Sequence, residues 1–288
     1  VKRSIDWQLE QLRTDYIDVG FIHCVDEQSE LEELLSGGVI DHIKALKRQG
    51  VVRHIGLSTH TPAIAHRVLD LGLPDVLMFS LNPAFDMMPA SEDLEDLFGD
   101  YENVSGDGIE PTRACLYARA EEKDVALTVM KGYAGGRLLS AEASPFGVAL
   151  TPVQCIHYAL TRPAVASVMV GVETVEQLEE ALAYEGATAA ERDYASVLAA
   201  APKHAYMGQC TYCGHCAPCT AGINIALANK FADLAEMAGE VPASVAAHYK
   251  AMDVTAGACI ACGDCEPRCP FDVPIIERME KTEELFGC

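Results

Sequence analysis

Leu12-Arg13-Thr14-Asp15-Tyr16-Ile17-Asp18-Val19-Gly20-Phe21-Ile22-His23 passes from an amphipathic segment into a short apolar run that stops at a histidine. Upstream, Ile5, Leu9 and Leu12 share one face at a 3.6-residue period, which marks a helix. From Tyr16 that period is lost and residues 16–22 read as a strand. The same alternation recurs downstream. Strands are expected over 51–57, 75–81, 125–130 and 166–170. Helices are expected over 39–48, 62–71, 112–122, 152–160 and 175–184. Thr61-Pro62, Thr151-Pro152-Val153-Gln154 and Thr174-Val175-Glu176-Gln177 place capping hydroxyls where these helices begin, the last two as capping boxes. Strands that are apolar throughout and separated by helices predict right-handed βαβ units and a parallel sheet covered on both faces.

The pattern stops near residues 200–207. Residues 1–200 form the α/β part, with 92–109 expected as a loop insertion, and 201–288 form a second, mainly helical part without strand signal. Helices are expected there over 223–237 and 243–252, between two cysteine runs. The first run is Cys210-Thr211-Tyr212-Cys213-Gly214-His215-Cys216-Ala217-Pro218-Cys219, and the second is Cys259-Ile260-Ala261-Cys262-Gly263-Asp264-Cys265-Glu266-Pro267-Arg268-Cys269-Pro270. Two-residue spacers let one short loop present three thiolates to three corners of a cubane, and the fourth corner must be met from elsewhere. In two-cluster ferredoxins the last cysteine of each run ligates the other cluster. By that logic two [4Fe–4S] clusters are expected. One is held by Cys210, Cys213, Cys216 and Cys269, and the other by Cys259, Cys262, Cys265 and Cys219. Structural zinc also uses Cys-x2-Cys pairs, but four ligands suffice for it and a third cysteine at the same spacing has no use. The first run has one residue fewer before its last cysteine, and Thr220 where proline is usual. A [3Fe–4S] centre or a labile first cluster therefore stays open. Cys24, Cys115 and Cys155 are expected to be buried small hydrophobes, and Cys288 a frayed end.

A formal charge of −22 argues against a nucleic-acid partner, because that binding rests on Lys and Arg neutralising phosphates. The acidic runs at 27–33 and 91–100 read as solvated faces. No apolar run approaches the roughly 20 residues of a membrane span, so no membrane is expected. The first residues lead into an amphipathic segment rather than a signal peptide. Twelve cysteines in a chain of 288 residues, eight of them in two tight runs, suit a reducing cytoplasm better than a disulfide framework.

Three stretches resemble the aldo-keto reductase family. They are residues 12–23, residues 50–58 (Gly50-Val51-Val52-Arg53-His54-Ile55-Gly56-Leu57-Ser58) and residues 164–180, from Ala164 through Gly171 to Gln177 and Glu180. Lys131-Gly132-Tyr133-Ala134-Gly135-Gly136 is similar to the exit of that family's seventh strand. The resemblance spans about residues 4–185. The two cysteine runs resemble the tail of the family's ferredoxin-bearing bacterial branch. This resemblance implies a (β/α)8 TIM-type barrel of which strands 4–8 are present, and NAD(P)-linked redox chemistry on a small carbonyl or alcohol substrate. It implies His23 as the catalytic hydrogen-bond donor to the carbonyl, with Ser58, Lys131, Gly171, Gln177 and Glu180 around the cofactor. Ala181 stands where the family often has Asn, and Lys131 where many members carry an aromatic. The family's catalytic Asp, Tyr and Lys come from strands one to three. Their absence, and a first residue that is not Met, imply an N-terminally truncated form, inactive and insoluble or molten by itself.

Three functions follow. One is an oxidoreductase that couples nicotinamide chemistry to one-electron transfer through the clusters, with a redox partner protein or flavin carrier. A second is an electron-transfer protein whose barrel is a non-catalytic scaffold. A third is a sensor in which cluster loss alters the barrel.

Overall fold

The computed structural model describes residues 2–87, 109–201, 206–238 and 241–288. The expected loop at 92–109 and the acidic run at 91–100 lie outside the described residues, Ile109 apart, and the boundary at 200–207 falls partly outside them.

Five strands form one parallel sheet in the order β1-β2-β3-β4-β5: β1 Ile17–Ile22, β2 Val52–Thr59, β3 Val76–Ser80, β4 Ala126–Met130 and β5 Val165–Val168. Each pairs with its sequence neighbour, as five successive βα units require. Glycine sets the closest approach between β1 and β2. A Cβ on Gly56 would stand 2.5 Å from the Phe21 ring, so the absent side chain is what lets the ring lie across β2.

The helices are α1 Lys2–Leu12, α2 Gln28–Ser36, α3 Val39–Arg48, α4 Pro62–Asp70, α5 Pro83–Asp86 and α6 Pro111–Glu122. They continue with α7 Pro152–Leu160, α8 Val175–Leu182, α9 Tyr194–Ala199, α10 Ile225–Ala238, α11 Ala243–Lys250 and α12 Ile275–Phe286. The cap of α7 is the expected box: Thr151 Oγ1 accepts from Gln154 N, and Gln154 Oε1 accepts from Thr151 N. Two other caps differ from expectation. Thr61 donates its hydroxyl to the carbonyl of Asp26, so it ties β2's exit to β1's instead of capping α4. Thr174 accepts from Gln177 N, but the Gln177 side chain accepts from Glu173 N, one residue before the cap. The acidic run 27–33 is not merely a solvated face. It builds α2, where Glu30 accepts from the N–H groups of Asp26 and Glu27 while Leu31 is buried.

Burial is strongest in the middle of the sheet. Leu57, Leu77, Phe79 and Val129 are 0–1% exposed, whereas no residue of the edge strands β1 and β5 is buried. One contiguous apolar cluster runs from Val25, through the inner sheet residues and α7, to Phe231, Tyr249, Phe271 and Met279. The cysteine-rich part therefore shares its core with the sheet part, and α10 packs directly on α6.

Candidate functional site

In parallel α/β sheets the chemistry gathers where strands end at their carboxyl edge, because the loops there are free to vary. His23 follows β1 directly, and its Nδ1 lies 2.8 Å from Ser58 Oγ on β2. The same oxygen accepts from Cys24 N at 2.7 Å. Ser58 is buried, and its hydroxyl is committed to orienting the histidine. At the end of β3, Asn82 accepts from the N–H groups of Ala84 and Phe85 and donates to the carbonyl of Lys131 at 2.9 Å, fixing the exit of β4. Lys131 itself has a left-handed backbone (φ +60°).

Beyond β5, Gly171 has open space where a Cβ would stand. Thr174 caps α8, whose flank and first turns carry Glu173, Glu176, Glu179 and Glu180. No Lys or Arg falls between 171 and 184. Hydrogen bonds from its own N–H and from the Thr174 hydroxyl hold the Glu176 carboxyl below the ordinary glutamate range, so a charged carboxylate sits at this helix start. His23 and Ser58 are thus brought into contact. Gln177 turns back onto its own loop, and Glu180 is on the exposed side of α8.

The eight clustered cysteines line two cavities, and each cavity draws on both runs. Cys210, Cys213, Cys216 and Cys269 line one, with Thr211, Phe271 and Val273; this is the inner cavity. Cys219, Cys259, Cys262 and Cys265 line the other, with Ile223, Ile275 and Met279; this is the outer cavity. The two runs fold alike. Tyr212 (φ +56°) and Gly214 (φ +83°) in the first correspond to Ala261 (φ +51°) and Gly263 (φ +79°) in the second. Left-handed residues on either side of the second cysteine curl the chain into a nest whose N–H groups point inward, a geometry that suits anions and iron–sulfur centres.

Backbone N–H groups of Tyr212 and His215 reach the sulfurs of Cys210 and Cys213. Burial nevertheless pushes the free thiols up, Cys210 to about 12 and Cys216 to about 11, so ligation must displace protons. The two runs are tied together by Arg268, which donates to the carbonyls of Cys216 and Pro218 at 2.8 Å, and by Thr220 on the Asp264 carboxylate at 3.0 Å. The first run is also tied to the sheet part. Arg162 and Tyr194 both donate to the carbonyl of Thr211. Among the described residues, only Cys24, Asp26 and His60 gather three potential ligand atoms within 4.8 Å. In neither cavity do three sulfurs all lie within 4.8 Å of one another, whereas a tetrahedral zinc with Zn–S near 2.3 Å holds its four at about 3.8 Å.

The sequence profile of the aldo/keto reductase family matches residues 1–201. The chain belongs to the aldo/keto reductase family. Among curated relatives it is 29% identical over 192 residues to the uncharacterized oxidoreductase YqkF of Bacillus subtilis (strain 168), covering 62% of this chain and 58% of that protein. It is 26% identical over 196 residues to L-galactose dehydrogenase of Arabidopsis thaliana, covering 64% and 57%. The chain thus spans somewhat over half the length of these relatives. Among solved structures it is similar to the holo form of aldo-keto reductase AKR11C1 from Bacillus halodurans, with a TM-score of 0.47 and 22% identity over 66% of this chain and 64% of that one.

Two features of this aldo/keto reductase chain were not read from its sequence. Cys24 is exposed, not buried, and its backbone is left-handed (φ +57°); a positive φ is not legible at a non-glycine residue. Asp26 is almost fully buried and holds the loop after β1. It accepts from the Thr59 hydroxyl at 2.9 Å and from His60 N at 2.6 Å. Although burial alone would raise it, hydrogen bonds from His60 and Cys24 keep this carboxyl ionised far below the ordinary range. Nothing local marks it, because its partners Thr59 and His60 lie on the next strand's exit, 33 and 34 residues on.

Proposed function

We propose that this chain is the core of an iron–sulfur oxidoreductase. It would couple NAD(P)-linked redox chemistry on a small carbonyl or alcohol to one-electron transfer through two [4Fe–4S] clusters. The observation that carries the reading is the crosswise lining of the two cavities, four cysteines each, beside a family sheet that presents His23 against Ser58. The donor set fits the group: four sulfurs per cavity, backbone N–H groups on the Cys210 and Cys213 sulfurs, and no three sulfurs drawn together within 4.8 Å as one zinc would draw them. Bound there, such a cluster accepts and releases single electrons. Cys210, Cys213, Cys216 and Cys269 would hold the inner one, and Cys219, Cys259, Cys262 and Cys265 the outer.

Family membership supports His23 as hydrogen-bond donor to the substrate oxygen, with Ser58 setting the imidazole's orientation through Nδ1. Lys131, Gly171, Gln177 and Glu180 remain the proposed cofactor surroundings. The four glutamates at α8 suit the hydroxyls of an adenosine ribose and repel a 2′-phosphate, which favours NAD over NADP. The inner cavity abuts the sheet part through Arg162 and Tyr194, whereas the outer cavity has exposed Cys262 and Ile260. With clusters bound, the inner cavity would face the barrel and the outer cavity would be the one open to a redox protein or flavin carrier at the surface. Eight reduced thiolates fit a reducing compartment such as the cytoplasm. Among the described residues no helix is long and apolar enough to cross a membrane.

The test is anaerobic titration of the native polypeptide with NADH or NADPH and a panel of small aldehydes, following nicotinamide and cluster absorbance together. Carbonyl-dependent nicotinamide oxidation should fall by roughly 10²–10⁴-fold in His23→Ala, with the clusters intact. No oxidation in protein carrying both clusters would reject the enzymatic reading in favour of the electron-transfer scaffold.

A further inference from the structure

At the mouth of the sheet, one step from His23, three side chains of different chemistry converge without serving the proposed carbonyl chemistry. Cys24 Sγ lies 3.2 Å from Asp26 Oδ2, and His60 Nδ1 lies 3.0 Å from the same oxygen. All three ligand atoms fall within 4.8 Å of one another. The carboxylate is divided in its duties. Oδ1 is anchored by the Thr59 hydroxyl and His60 N, while Oδ2 faces the thiol and the imidazole. One oxygen held by donors and the other turned toward neutral ligands is the way proteins orient a metal-binding carboxylate. Asp26 is buried, His60 half-buried and Cys24 exposed, so the trio opens to solvent on its cysteine side.

We propose that Cys24, Asp26 and His60 form a site for a borderline divalent transition-metal cation such as Zn²⁺, with its fourth position open. Thiolate, carboxylate and imidazole are the three ligand types this ion takes. A tetrahedral Zn²⁺ with ordinary bond lengths separates sulfur from oxygen by about 3.6 Å and nitrogen from oxygen by about 3.4 Å. The observed edges need to widen by only about 0.4 Å to accept it. Binding forms one bond from the ion to each ligand and releases water from its hydration shell. The Cys24 thiol proton leaves to solvent, and the imidazole takes the tautomer whose nitrogen facing the ion is bare. The Asp26 carboxylate and burial hold this thiol protonated in the free protein, so it is a poor bare nucleophile, and the displacing charge of a cation is what would make it a ligand. Cys24 N also donates to Ser58 Oγ, the atom that orients His23, so an ion here would sit next to the histidine's support.

The test is Co²⁺ titration of the full chain, read by thiolate-to-cobalt charge-transfer absorbance and by bound metal after desalting, with iron and sulfide measured in the same samples. The unchanged chain should hold one Co²⁺ displaceable by Zn²⁺. That equivalent should be lost in Cys24→Ser, whose exposed position leaves the fold alone, and in His60→Gln. It should persist in Cys115→Ser and Cys288→Ser. Equal iron content across the variants separates this site from the cysteine cavities, and the site is read as the one equivalent that Cys24→Ser loses relative to the unchanged chain, whatever the cavities hold. An unchanged cobalt stoichiometry and charge-transfer band in Cys24→Ser, or no such equivalent in the parent, would overturn the proposal.

Discussion

In the inner cavity, Arg162 and Tyr194 grip the loop of Cys210, Cys213 and Cys216 through Thr211, while Tyr212 packs under the Arg162 guanidinium. In the outer cavity, a loop of the same backbone shape carries Cys259, Cys262 and Cys265 with Ile260 65% exposed and no comparable tie to the sheet among the described residues. The two sites have the same ligand types, the same left-handed residues and the same crosswise fourth cysteine. They differ in what stands behind the loop. Ligand spacing therefore determines which cofactor the site suits, and the packing behind it determines how firmly the cofactor is kept and which way it faces.

The largest effect that would break this comparison is expected from Arg162→Ala. The guanidinium is fully buried, donates to Thr211 O and Thr161 Oγ1, and lies over the Tyr158 and Tyr212 rings. Removing it should cost about 3–5 kcal/mol, the range for breaking a buried charged network. Denaturant melts and iron counts should show lower stability and preferential loss of the inner cluster. Equal iron loss from both cavities would mean that the sheet does not distinguish them.

A smaller effect concerns access. Under an iron chelator, iron should leave in two phases, with the outer half faster because Cys262 is exposed. A Cys262→Ser variant should lack the fast phase. One phase for all the iron would contradict the difference in environment.

Smallest is Thr151→Ala, which removes the α7 capping box and should lower stability by about 1 kcal/mol with the iron content unchanged. Cluster loss in this variant would show that the sheet and the cavities are coupled far more globally than Arg162 and Tyr194 suggest.

How far the sequence revealed this depends on whether a feature is local. The five strands and the helices with Ser, Thr or Pro starts could be read because apolar periodicity and caps are written within a dozen residues. α2, α5, α9 and α12 escaped: α5 and α9 are only four and six residues long, α2 starts behind Glu27 amid acid, and α12 starts after Pro274 with no side-chain cap. The eight clustered cysteines stand out by spacing alone. The ties of Arg162 to Thr211 and of Arg268 to Cys216 and Pro218 span about 50 residues and leave no local trace. His23 and Ser58, 35 residues apart, were singled out through family resemblance, but their contact required β1 and β2 to be paired in register. The exposure of Cys24 had no signal at all.

The most direct measurement of the account is an iron and sulfide count on two double variants prepared anaerobically beside the unchanged chain, which should hold roughly eight of each. In Cys213→Ser/Cys269→Ser both lost ligands belong to the inner cavity, so one cluster of roughly four irons should remain. In Cys262→Ser/Cys269→Ser one ligand is lost from each cavity, so both clusters should be damaged and the retained iron should fall well below half. The reverse pattern, with the second variant keeping one intact cluster and the first keeping none, would contradict the crosswise sites, and zinc without sulfide in the unchanged chain would contradict the clusters themselves.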